Sequence, residues 1–182
     1  MSQHNRGNQQ SEDNEYISET CEAILDTAKT IYNEEAERFK QTEAKTNITL
    51  AFVGILFAAY LTYLGAFKPI SKEISYLVYT FLFELVIFIL FVLSIVYFFK
   101  SIKTEEYEQV GLENIVNENL ARNDANQTKL LIAATYKDAI DFNKNLLESK
   151  LKLYGMGLNF MHWGFLSFAV HFMIEEVIKY VK

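Results

Sequence analysis

The chain holds 182 residues, half of them hydrophobic (51%), yet its net charge is −6, with 23 acids against 17 bases. Both properties are met when apolar and charged residues are segregated into blocks, which leaves about 115 residues outside three membrane-length segments, too few for a large independent catalytic domain. One proline and seven glycines predict long helices, and no stretch alternates in the manner of a half-buried strand.

The N-terminal residues MSQHNRGNQQ lack the basic and apolar regions of a secretory signal, so residues 1–11 read as a polar, disordered tail. From Glu12 to Asn47 the chain has neither Gly nor Pro, and acids outnumber bases. Ile17, Cys21, Ile24, Ala28, Ile31, Tyr32, Ala36 and Phe39 recur at steps of three and four, the period of one helix face. Ser11 with Asn14, or Asp13, supplies a start signal. A lone amphipathic helix is marginal in water, so this stripe requires a partner helix from its own chain or from another copy. Cys21 is the only cysteine, which excludes an internal disulfide and a cysteine-based zinc site.

Ile48 to Phe67, ITLAFVGILFAAYLTYLGAF, contains no charge. Twenty helical residues span roughly 30 Å, the thickness of a bilayer's hydrocarbon core. Gly54, Ala58 and Thr62 place a small residue at every fourth position, which favours close helix approach. Gly65 and Pro69 end the segment, and the short link to Ser75 requires an antiparallel return. A second span is expected over Tyr76–Phe99, closed by Lys100 and Lys103. Glu84 lies inside it. Three readings stand open: a functional carboxylate facing a polar path, a protonated acid in an interhelical hydrogen bond, or an interfacial group.

Ser101–Lys152 is charged again. Glu105–Leu120 reads as a helix interrupted near Gly111, and Asn123-Asp124 as a turn and cap. A further helix then carries the stripe Ala133, Tyr136, Ile140, Leu147, Leu151 and Tyr154, with Asn143 in its seam. This stripe matches the N-terminal one in period, so the two are expected to pack as a helical stalk. Asn143 either fixes the register of that seam or faces solvent at its edge. Leu153–Ile174 is expected as a third span, with residues 175–182 as an extracytoplasmic tail; a re-entrant or surface-lying segment is the alternative. Its Asn159, His162, Trp163 and His171 suit a face turned to other helices or to water. A contact between Glu84 and His162 is within reach by depth. The expected fold class is thus an all-α membrane protein, with three transmembrane helices extended by long cytosolic helices.

Lysine and arginine placement sets the expected topology. Arg38, Lys40, Lys45, Lys100, Lys103, Lys144, Lys150 and Lys152 lie near one set of span ends, and Lys68, Lys72, Lys179 and Lys182 near the other. The more basic side faces the cytosol, which puts the N-terminus inside.

Enzyme signatures are lacking: there is no phosphate-binding glycine loop, no HExxH, and no metal pattern among His4, His162 and His171. The expectation is a non-enzyme with no cofactor and no metal. A basic series, Arg122, Lys129, Lys137 and Lys144, recurs at steps of seven and eight, its last three members within an arc of roughly 80° on one helix. It suits the phosphates of a nucleotide or anionic lipid heads, or it is simply paired, since Asp141 follows Lys137 and Glu148 follows Lys144 by one turn.

The run AERFKQTEAKTNITLAFVGILFAAYL passes a charged helix directly into a glycine-bearing span, and YKDAIDFNKNLLESKLKLYGMGLNF leads a second charged helix into a later apolar segment. In this the chain resembles the small bacterial transmembrane effectors of anti-phage systems, encoded beside nucleotide-signal synthases: the SLATT group, the Pycsar transmembrane effectors and the Hailong-type channel. The resemblance implies a homo-oligomer in the bacterial inner membrane that binds a nucleotide second messenger or oligonucleotide signal and permeabilises the bilayer, with the signal synthase as a further partner. The residues assigned to the signal are Arg122, Lys129, Lys137 and Lys144; those assigned to the intramembrane path are Glu84, Asn159 and His162. Two other classes compete: a non-conducting membrane scaffold that recruits a soluble partner through its cytosolic helices, and a small ion or proton transporter using Glu84 and His162.

Overall fold

The structure, a computed structural model, describes residues 17–103, 107–115 and 118–181. The expected residue 1–11 tail and the start signals at Ser11, Asp13 and Asn14 lie outside these residues. Within them the chain is all-helical: α1 (Ser18–Ala66), α2 (Ile74–Lys103), the short α3 (Leu112–Ile115) and α4 (Glu118–Ala121), and α5 (Ala125–Val181). Residues 107–111 are not helical, and the described part of the helix expected over Glu105–Leu120 holds two short turns, α3 and α4. Asp124 caps α5 as its sequence suggests, its Oδ2 accepting the Asn126 N–H at 2.9 Å.

Two helices, α1 and α2, are long and apolar enough to cross a membrane. The expected third span, Leu153–Ile174, lies within α5 and falls short of the same apolarity. Asn159, His162, His171 and the glycines at 155, 157 and 164 dilute its hydrophobic side chains. Only 11% of the most apolar window of α1 and 22% of that of α2 are buried within the chain. Phe52, Ile55, Phe81 and Leu82 instead point outward.

The chain divides into two compact units, one formed by the described parts of Met1–Tyr32 and Gln109–Ala139, the other by Asn33–Glu108 and Ile140–Lys182. In the first, the beginnings of α1 and α5 pack side by side. Tyr32 and Tyr136 meet edge to face at 5.3 Å, and Lys129 pairs with Glu22 at 3.0 Å. Cys21 is buried while Ile17, Ile24 and Ile31 are exposed. The inward face therefore runs through Cys21, Leu25, Ala28 and Tyr32 rather than through the isoleucines of the expected stripe.

In the second unit, three helical stretches form a bundle. Contacts between α1 and α5 advance together, from Glu43–Lys150 through Thr49–Tyr154 and Tyr60–Phe168 to Tyr63–His171, so these helices are parallel. Contacts between α2 and α5 run oppositely, from Ser101–Lys150 through Ser94–Gly157 to Thr80–Glu175. The core is Val53, Tyr60, Ile87, Phe91 and Phe98, with Tyr154, Leu158, Met161 and Phe168 packed against it. A second cluster joins Phe39 to Leu146 and Leu147, with Tyr107 against it. Leu151, expected in the α5 seam, is exposed, and Lys150 takes the inward position. Asn143 is buried, and both its amide atoms bond the backbone of Glu108.

Candidate functional site

Two groups of polar side chains in the bundle bear on function, one inside and one outside. The inner group gathers where α1 meets the loop to α2. Tyr76 donates its hydroxyl to Glu175 Oε2, and Thr80 reaches Glu175 Oε1 at 3.4 Å. Tyr76 also accepts the Ile70 N–H at 3.4 Å, which ties the interhelical loop to the same point. One turn before Glu175, His171 is fully buried. Phe83 stacks on its ring at 5.5 Å and 15°, while Tyr63, Phe67 and Tyr79 surround it with centroids between 6.0 and 6.3 Å.

Glu84 belongs to this inner group. Its backbone carbonyl accepts the Tyr60 hydroxyl, and its Oε1 is buried without a protein partner. The expected contact with His162 is not made: His162 is exposed on the far side of α5 and packs edge-on against Trp163 at 6.1 Å. Glu84 and Thr80 lie one turn apart on α2, so the aromatic pocket around His171, not His162, is the neighbourhood of Glu84.

The outer group holds Asn159, His162 and Trp163, expected on a face turned to other helices or to water, and all three are exposed. At 100° per residue, Lys144, Glu148, Lys152, Gly155, Asn159 and His162 share one side of α5. All are exposed, and the stripe is about 27 Å long. The helix core packs through Gly157 and Gly164 instead, where a side chain would meet Phe98 and Leu90.

Three members of the basic series lie in the first unit and one, Lys144, in the second. Arg122 pairs with Glu118 at 3.6 Å, with both groups largely exposed, and Lys129 pairs with Glu22. Lys137 is exposed within the first unit, and Lys144 is exposed within the second. Among the described residues no three His, Cys, Asp or Glu side chains are placed to hold a metal ion.

Sequence reasoning passed over Glu175, which was assigned to a tail beyond the last span. The available signal was the 171–175 spacing, one helical turn, combined with Tyr76 and Thr80 at the facing end of the second span. Comparison with protein-family models, with curated proteins and with solved structures returns no match.

Proposed function

We propose that this chain is the subunit of a membrane-embedded homo-oligomer, a pore or ion channel that acts as an effector of anti-phage defence in the bacterial inner membrane, with its N-terminus in the cytosol. The observation that carries the pore reading is the exposed stripe of α5. Asn159 and His162 stand on the outside of a bundle whose other outward faces, on α1 and α2, are strongly apolar. Polar side chains facing lipid at such a depth are costly, whereas a second copy or a water-filled path satisfies them. In this arrangement α1 and α2 meet lipid, and the C-terminal part of α5 completes the membrane bundle against a neighbouring subunit. Three membrane segments enclose no wide path alone, so several α5 stripes surround the conduit.

The opening signal is a nucleotide. This part rests on the resemblance to anti-phage effectors and on the basic series, of which Lys137 and Lys144 are the exposed members on α5.

Single-cysteine variants test the arrangement. In a Cys21→Ser background, Asn159→Cys and His162→Cys should form intersubunit disulfides in native membranes, and Phe81→Cys on the outward face of α2 should not. Cross-linking confined to position 81 would overturn the assignment of the α5 stripe.

A further inference from the structure

Among the described residues, every buried side-chain polar atom that lacks a protein partner falls in one place: the hydroxyls of Tyr63 and Tyr79, Glu84 Oε1, and both ring nitrogens of His171. Buried polar groups are ordinarily hydrogen-bonded, because an unpaired one costs its desolvation energy. Five such atoms on three different helical stretches mark a built polar chamber rather than a single misfit.

The chamber has an entrance. A pocket of about 350 Å³ lies at the loop end of the bundle, lined by Tyr63, Phe67, Lys68, Glu175, Glu176 and Lys179, among others. Tyr63 and Glu175 belong to both pocket and chamber. From solvent the order of groups is therefore Glu175, whose two oxygens are held by Tyr76 and Thr80, then His171 one turn earlier on α5, then Glu84 one turn beyond Thr80 on α2.

We propose that Glu175, His171 and Glu84 form a buried proton-binding site, hydrated and loaded through the loop-end pocket. The proton arrives on hydronium in the pocket. It adds to a carboxylate oxygen, giving a neutral acid, and leaves a water molecule behind. The site's charge rises by one.

The surrounding charges favour this ligand over a larger one. The groups that face the site are Tyr60 and Tyr63 from α1, Lys68 from the loop, Tyr76, Tyr79 and Glu84 from α2, and His171, Glu175, Glu176 and Lys179 from α5. Lys179 is engaged with Glu176 at 3.5 Å, and among the described residues neither the buried Glu175 nor the half-buried Glu84 has a lysine or arginine bonded to it. A bound proton offsets that charge beside the aromatic rings that pack around His171. Histidine is the side chain suited to exchange a proton near neutrality. The proposal does not depend on the pore reading, since it concerns only groups within one chain.

The test is pH-difference infrared spectroscopy of the full chain in lipid nanodiscs, stepped from about pH 8 to about pH 5, the interval that brackets histidine titration. A buried carboxylic-acid carbonyl band should appear on acidification. Glu175→Gln or Glu84→Gln should abolish it, and Tyr79→Phe, which keeps the ring and its packing, should displace it. Each variant is compared at wild-type helicity. No band in the wild type, or the same band in all three variants, would overturn the site.

Discussion

The ammonium of Lys150 and the carboxylate of Glu43 meet at 2.7 Å, yet the two ends are unequal: the lysine side chain is 2% exposed and the glutamate 40%. The Phe39 ring lies 4.1 Å from the same ammonium. The pair is therefore a buried cation held by a partly hydrated anion. Removing the anion strands the cation, whereas removing the cation frees a carboxylate that already touches water. Glu43→Ala should destabilise the bundle by about 1–3 kcal/mol. Lys150→Met, which keeps the stem's volume, should cost less than about 1 kcal/mol. Thermal loss of helicity in detergent measures both, and equal losses would refute the asymmetry.

Asn143 holds the backbone of Glu108 by two bonds, accepting its N–H at 2.8 Å and donating to its carbonyl at 2.9 Å. The non-helical stretch 107–110 is thereby fixed to α5. Asn143→Ala should raise amide exchange at Glu108 and cost about 1–2 kcal/mol. Asn143→Asp retains the acceptor and loses the donor, so its exchange rate should fall between those of wild type and alanine. Hydrogen exchange read by mass spectrometry over this segment is the check.

Two glycines of α5 should answer substitution in opposite ways. A Cβ at Gly157 would lie 2.9 Å from the ring of Phe98, itself fully buried, while one at Gly155 would meet nothing within 4 Å. Gly157→Ala should cost about 1–3 kcal/mol through overpacking. Gly155→Ala should stabilise by up to about 1 kcal/mol through helix propensity, and it reports whether that face stays open in the oligomer. Comparing the two melting temperatures decides the point.

The fold was legible where a rule is local. Uncharged length revealed α1 and α2, Gly65 and Pro69 flanked the break after Ala66, and Asp124 marked the start of α5. Facing was less legible. Isoleucines at 17, 24 and 31 look like core residues, but the helix turns Leu25 and Tyr32 inward, because a seven-residue series and its neighbour one position on have the same period. Lys150 reads as a solvent residue, and only the neighbouring Phe39 and Glu43 make its burial tolerable. Glu84 was visible as an intramembrane acid, but its company was not. His162 looked nearer by depth, whereas His171 and Glu175 were brought to that region by the parallel course of α1 and α5. Such a pairing is set by packing across more than ninety residues and leaves no local pattern.

Asn159 and His162 give the pore reading its own mutational signature. In an oligomer with α5 stripes around a conduit, Asn159→Leu with His162→Leu should lower leakage at least about tenfold while keeping assembly, because it dries the path rather than the interface rim. Dye or ion release from vesicles measures it, with native mass spectrometry confirming the subunit number.

The central claim is tested most directly by ion flux through liposomes that hold the purified protein, recorded with and without cyclic nucleotide and oligonucleotide signals. Flux that appears with one such signal, and disappears in the Lys137→Glu, Lys144→Glu double variant, is the predicted result. No flux under any of these conditions, from an oligomer shown to be intact, would contradict the account and leave a membrane scaffold in its place.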